Sequence, residues 1–429
     1  MAESKLCSIK KYSKVQNKTT CLITDILMYN RVYIFDVNRK GEFTRVKRLI
    51  AITMTAVILM LPAQALAEEK GSLSYERSIA LMDLNSSTLK KLQRVESDAL
   101  RQYKSNAQSA EIIDVNGFTA KFDDKEIYIP YDPETKLMMT KVKELYPEQM
   151  KFSWEAARDN HTITTNSLNA ALRGVFFGVY NAQADLQLKQ KQLAYATEIS
   201  RQDKLKLKNG MITDLGLQES EYNQLKTQKG VDAAKRNYDN AVRSFDQFVG
   251  LSSKNQFEQV IYEDILAHPK WKLVDYYIET ALANRFDIVS IRKQIALKEQ
   301  EKKIIESGYA YKTGTTAQDE YERLLNDLEQ LNMDLEGMGL SITNEMKNAY
   351  VDVISTGKSV DNLNNTLKLQ RSNYANAQAR YKAGIISKNI LTQAELGLLQ
   401  VENGYKAALY DYNTRIMRFN NATGIGPGY

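Results

Sequence analysis

The 429-residue chain is nearly without cysteine: Cys7 and Cys21 are the only two, and both fall within the segment 1–48. An exported chain lacking that segment has no disulfide and no thiol chemistry. Histidine is as scarce, with His161 and His268 far apart and without ligand-like company. No phosphate-loop glycine pattern, dinucleotide fingerprint or H-E-x-x-H occurs. Carboxylates are plentiful but scattered on helix faces, where a solvated surface explains them. Trp154, Trp271 and the recurring tyrosines read as packing residues. These absences argue against an enzyme, so no catalytic, cofactor-binding or metal site is assigned. Only six prolines occur: Pro62, Pro130, Pro133, Pro147, Pro269 and Pro427. Between Pro147 and Pro269, and again up to Pro427, no proline interrupts a helix.

A formal net charge of +6 invites a nucleic-acid or membrane-surface reading, but its distribution removes the invitation. Residues 1–48 hold 11 of the 58 Lys and Arg and 4 of the 52 Asp and Glu. The remainder is close to neutral, and no nucleic-acid partner is expected. From Arg45 the chain reads "RVKRLIAITMTAVILMLPAQALAEEK", three cations followed by an apolar run from Leu49 to about Leu61. Ala65 and Ala67 supply the small-x-small pattern of a signal-peptidase site, so export is expected. The run is short for a spanning helix, which needs roughly 20 apolar residues. A long segment precedes these cations, so residues 1–45 are either a mis-assigned start or an extended leader.

Two short interruptions organise the rest. "KNGMITDLG" (208–216) and "KAGIISKNI" (382–390) each separate stretches rich in Leu, Ala, Gln, Lys and Glu. A shift of 174 aligns 201–251 with 375–425 without a gap, placing Lys208 on Lys382, Gly210 on Gly384, Ile212 on Ile386, Tyr238 on Tyr412 and Phe245 on Phe419. An earlier pairing of 79–85 with 280–286 needs a shift of 201, so the first half carries an insertion of about 27. Leu391, Leu398, Tyr405, Tyr412 and Phe419 recur with a period of seven, as do Leu217, Gln224, Val231, Tyr238 and Phe245. This is the period of helices packed in a left-handed supercoil, expected here at roughly 35 to 42 residues each. Gly210 and Gly384 suit the left-handed residue that ends a helix. Thr213 or Asp214, and Ser387 or Asn389, suit the N-cap of the next. The fold class is therefore all-α dominated, with long antiparallel coiled-coil helices in two tandem repeats. At most one short β-hairpin is expected, near 117–131, and it reads as weak and polar. The matching region of the second half, 311–339, turns helical after Gly314-Thr315-Thr316. The expected divisions are a leader over 1–67, a first repeat over 68–250, a linker over 251–272, a second repeat over 273–425 and a tail over 426–429.

The duplicated unit, clearest in "ARYKAGIISKNILTQAELGLLQVENGYKAALYDYNTRIMRFNNATG" (379–424), resembles the TolC-like outer-membrane efflux proteins over roughly 74–425. The resemblance implies a homotrimer whose long helices line a shared α-barrel, the exit duct of a tripartite efflux or type I secretion system. It implies partners as well, a periplasmic-type adaptor (membrane fusion) protein and an inner-membrane transporter that supplies the energy. By resemblance the adaptor-docking tips are Lys208, Gly210, Ile212, Thr213 and Asp214, with Arg380, Tyr381, Lys382, Gly384, Ile386 and Ser387. The family inserts a strand hairpin in each half to build a membrane β-barrel; here the first is short and the second is missing. The chain thus reads as a barrel-reduced relative whose membrane insertion is in doubt. It would lie in the cell envelope, at the outer membrane of a two-membrane cell or otherwise at the surface or wall. The alternative is an exported coiled-coil structural or binding protein that keeps the fold and has lost the pore.

Overall fold

The computed structural model describes residues 71–122, 125–251, 257, 259–262, 269–308 and 316–429. The leader with Ala65 and Ala67, and likewise His268, lie outside the described residues. Everything below concerns the unit from Gly71 to Tyr429.

A two-residue strand, β1 (Ser72–Leu73), leads into helices α1 (Tyr75–Asn85) and α2 (Ser87–Glu111). Serines set these boundaries. Ser74 Oγ accepts from Arg77 N–H at 3.3 Å, and Ser86, which ends α1, caps α2 by accepting from Leu89 N–H at 3.3 Å. Strands β2 (Gly117–Phe122) and β3 (Lys125–Pro130) then form an antiparallel hairpin, Gly117 opposite Pro130 and Phe122 opposite Lys125. Asp132 caps α3 (Pro133–Thr140), with Pro133 at the first turn where its missing N–H costs nothing. One π-helical turn, Lys141–Leu145, carries α3 into α4 (Tyr146–Lys208). Next comes α5 (Asp214–Phe248), then β4 (Gln259–Val260), α6 (Val274–Asn284), α7 (Phe286–Ser307), α8 (Thr316–Lys382) and α9 (Lys388–Thr423).

Helices α5 and α9, at 35 and 36 residues, have the expected length, whereas α4 and α8 run to 63 and 67. Nothing in either long segment breaks the helix, because internal glycines weaken one without ending it. At 1.5 Å per residue, α4 and α8 are rods of about 95–100 Å. The offset between the early helices also needs correction. Helices α1 and α6 are both 11 residues long and end at Asn85 and Asn284, an offset of 199 and not 201. The insertion in the first half is correspondingly shorter, and the hairpin accounts for most of it.

Helix α4 packs along α5, α8 along α9, and α9 along α4. The four long helices thus form one layer in the order α5–α4–α9–α8. Helix α2 lies against α4, and α6 and α7 lie against α8. Each half has its own core. Leu172, Val179 and Phe245 are fully buried in the first, and their repeat equivalents Met346, Val353 and Phe419 are fully buried in the second. The heptad positions all face inward, since none of them is exposed. A third cluster, Leu137, Leu145, Ile304, Ile305, Ala317 and Leu324, joins α3, α7 and the start of α8.

The linker is less free than its sequence suggests. Strand β4 pairs in parallel with β1, Leu73 opposite Val260, and both side chains are buried in the first core. Tyr262 then reaches the α4–α9 seam, its ring 5.2 Å from that of Phe177 and its hydroxyl donating to Lys406 O at 3.4 Å.

Candidate functional site: helix tips and open edges

Helix α4 ends in a hydrogen-bonded turn that α8 repeats bond for bond. Gly210 N–H donates to Leu207 O at 2.9 Å and Met211 N–H to Lys206 O at 2.8 Å. Gly384 N–H donates to Tyr381 O at 2.9 Å and Ile385 N–H to Arg380 O at 2.8 Å. These are Schellman ends, which require a left-handed residue; Gly210 has φ +70° and Gly384 +73°. Of the alternative caps, Thr213 and Ser387 are the ones used. Thr213 Oγ1 accepts from Gly216 N–H at 3.3 Å and Ser387 Oγ from Ile390 N–H at 3.5 Å. Asp214 is the first residue of α5, where its charge favours the helix N-terminus.

At the tips, Lys208, Gly210, Thr213, Asp214, Arg380, Tyr381, Lys382, Gly384 and Ser387 are exposed, while Ile212 and Ile386 are half-buried. The most exposed apolar side chains are their neighbours Met211 (71 %) and Ile385 (66 %), which the turn pattern alone does not single out. A signal for them exists in the sequence, since both are apolar and occupy equivalent positions of the two repeats. The α4–α9 seam brings the two tips together. Asn389, inside α9, donates from Nδ2 to Gln202 Oε1 of α4 at 2.7 Å. Next to it Glu198 accepts from Arg201 and Gln202, and these bonds, Arg201 first, lower its carboxyl pKa to about 2.

Higher up, the seam is closely knit. Phe177 stacks on Tyr410 with ring centroids 4.0 Å apart. Arg173 donates to Thr414 Oγ1 at 3.0 Å, Lys406 to Tyr180 Oη at 2.6 Å, and Lys191 pairs with Glu395 at 2.6 Å. Burial in this seam raises the pKa of the Tyr410 hydroxyl. The layer's two margins, α5 and α8, carry no such seam. Val351 of α8 is 64 % exposed, whereas Phe177, its repeat equivalent in the seam, is 9 % exposed. Met333, Val351 and Leu369 recur at about five full helical turns, so with Leu340 they line one exposed apolar stripe along α8. On α5, Leu215, Tyr222, Lys229, Arg236 and Arg243 form an exposed line of period seven.

The other sequence candidates have structural partners. His161 Nδ1 lies 2.8 Å from Glu96 Oε2, Trp154 stacks on Tyr103 at 5.9 Å, and Trp271 packs edge-on against Phe419 at 5.7 Å. Among the described residues no group of His, Cys, Asp or Glu is placed to hold a metal, and no helix is long and apolar enough to cross a membrane. The hairpin lies at the far end of α4 from the tips. Each of its strands has 6 residues, and only the short segment 308–315 separates α7 from α8. A membrane-spanning strand needs roughly 9–11 residues, so the second half has no room for a spanning pair.

The architecture is a layer of paired rods, turned back at matched tips, with a short β-hairpin at the other end. No sequence-family model matches the chain, and no curated protein does. Solved structures do match. CusC, whose structures follow transmembrane channel formation, shares 13 % identity at a TM-score of 0.56, over 82 % of this chain and 92 % of its own. The Neisseria gonorrhoeae MtrE outer membrane channel in its open state gives 14 % and 0.53 over 82 % and 89 %. The Campylobacter jejuni CmeC outer membrane channel gives 15 % and 0.52 over 82 % and 85 %. The chain has the TolC-like fold of these outer-membrane channels.

Proposed function

We propose that the protein is the exit-duct component of a tripartite efflux or type I secretion system. Three copies close into a helical tube that docks an adaptor protein at its tips and works with an inner-membrane transporter. The observation that carries this reading is the mismatch between the seam and the margins. If 68–250 and 273–425 are two copies of one unit, then α9 on α4 has a counterpart, α5 on α8. Within one chain α5 and α8 are opposite margins of the layer and cannot meet. They meet only between chains, α5 of one copy against α8 of the next. Such a head-to-tail contact closes into a ring when its rotation permits. The exposed stripe of Met333, Leu340, Val351 and Leu369 then gains the cover that Phe177 already has.

The copy number, the adaptor and the transporter rest on the likeness to outer-membrane channels. The tips rest on the matched turns at Gly210 and Gly384, with Met211 and Ile385 as their exposed apolar contacts. An envelope location rests on the leader and on the same likeness. The missing strand pair favours a second reading, an exported helical protein that keeps the fold without the pore. Light scattering on the purified protein separates the two. A trimer that cross-links to an adaptor through cysteines near Gly210 and Gly384 supports the duct; a stable monomer overturns it and leaves the second reading.

A further inference from the structure

The β2–β3 hairpin is a two-stranded sheet, and among the described residues neither edge has a third strand. Its register sorts side chains by chemistry. Phe118 faces Ile129, Ala120 faces Ile127 and Phe122 faces Lys125 on one side, where Lys125 at the turn can extend its amine past the rim, whereas Thr119 faces Tyr128 and Lys121 faces Glu126 on the other. The hairpin is therefore amphipathic, more sharply so than the weak alternation of its sequence suggests. Phe118, Phe122 and Ile127 stay 46 %, 56 % and 49 % exposed, an apolar face that the chain itself does not cover.

A bilayer is a poor occupant for that face. Strands of this length fall short of the roughly 9–11 residues needed to span. Three copies would supply six strands, below the eight of the smallest membrane barrels. From Glu111 to Glu134 the acidic residues outnumber the lysines seven to two, a balance that anionic lipid headgroups repel.

We propose that the hairpins of neighbouring copies close over one another, apolar faces inward, into a small water-soluble β-plug that seals the tube at the end away from the tips. This rests on the ring reading above. Both backbone edges are open templates for pairing, and β3 of one copy beside β2 of the next continues the antiparallel alternation. The outer face is charge-complementary in the same sense. Glu126 stands on the outer face of β3 and Lys121 on the outer face of β2, so a joint between β3 of one copy and β2 of the next brings strands of unlike charge together. A closed sheet this small is filled by its own side chains and leaves no channel. Export then requires the hairpins to part, so the far end is a closed gate and not a standing pore.

The test uses the full chain with Cys7→Ser and Cys21→Ser, which leaves no other thiol. Ala120→Cys reports the inner face and Thr119→Cys the outer face. In a separate protein, Val351→Cys with Arg236→Cys reports the ring, being the positions equivalent to the stacked Phe177 and Tyr410. The expected result is that Ala120→Cys forms disulfide-linked pairs of chains on oxidation and loses labelling by a charged maleimide, while Thr119→Cys labels and stays unlinked. If the ring cross-link forms but Ala120→Cys labels as fast as Thr119→Cys, the plug is overturned and the ring stands. Absence of the ring cross-link from a monomeric protein overturns both. Labelling at Ala120→Cys that is lost only on adding phosphatidylcholine vesicles also overturns the plug and gives the face to lipid.

Discussion

Arg285 stands where α6 turns into α7, and its side chain is nearly sealed from water. Nη1 donates to Glu345 Oε2 at 2.8 Å and Nη2 to Asp287 Oδ2 at 2.5 Å. The C-terminal tail closes over the same group, since Tyr429 N–H donates to Glu345 and Phe286 N–H to Ile425 O. Replacing the guanidinium leaves two carboxylates facing each other. Arg285→Leu should cost about 3 kcal/mol, the low end for a broken buried pair because both carboxylates keep some contact with solvent. Urea unfolding at neutral pH measures it, and a cost below about 1 kcal/mol would show that solvent already screens the site as at a surface pair. Glu198, by contrast, keeps much of its side chain in solvent and gives a statement about pH alone. Its carboxyl is held at about 2 against an ordinary 4.5, by Arg201 first and Gln202 second. A depressed carboxyl stabilises above its ordinary value and loses that contribution as pH falls through its folded one. The Glu198–Gln202–Asn389 link should thus survive at pH 4 and fail only as pH approaches 2. A carbon-detected NMR titration of Glu198 with its midpoint near 4.5 would contradict this.

Elements were legible in the sequence wherever a local rule forces a conformation. The two left-handed glycines, a cap at Thr213 or Asp214 and at Ser387 or Asn389, and the inward heptad line through Tyr412 and Phe419 follow from backbone sterics and helical period, and the structure chose Thr213 and Ser387. Helix length was not legible, because it depends on where a break fails to occur, and glycines such as Gly174 sit inside α4 without ending it. The β1–β4 pair was invisible for another reason: strands so short have no period, and one partner opens the first repeat while the other lies beyond its end. Tip residues could be named from the turns, yet Met211 and Ile385 stood out only once exposure was known. The same contrast predicts opposite signs for two glycine substitutions. Gly384→Ala places a Cβ on a residue with φ +73° and should destabilise by about 1 kcal/mol, although no atom lies within 4 Å of it. Gly404, within α9, also has open space around it, so Gly404→Ala should stabilise by about 0.5–1 kcal/mol. Paired thermal melts test both, and a shared sign would mean that local backbone geometry does not set the stability of these helices.

For the whole molecule the question is what a layer of four rods does with two bare margins. The layer carries its cores at the α1, α2 and α6, α7 ends, where the extra helices supply a second shell of packing. Along the tip-ward half only one seam, α4 on α9, is protected on both sides. Water would otherwise contact the α8 stripe along its whole run from Met333 to Leu369, an exposure that soluble monomers seldom leave unfilled. Covering those four aliphatic side chains would contribute about 1.5 kcal/mol for each one fully buried, before the cost of association. That sum is modest beside the interface a ring needs, so assembly also draws on the long polar flanks. Those flanks alone should not hold it once a charge stands in the stripe. Val351→Lys together with Leu369→Lys adds two cations, the first set against Arg236 of the neighbouring α5 and the second buried unpaired, a penalty several times the lost contacts. The double variant should keep its helical circular dichroism and melting temperature as a chain, while its mass by light scattering falls to that of a monomer. The same pair of substitutions at exposed positions of α8 off the stripe, Ser359→Lys and Ala375→Lys, should leave the mass of the assembly unchanged. If both doubles dissociate alike, bulk charge and not the stripe governs assembly, and the margin between α8 and α5 is not the joint.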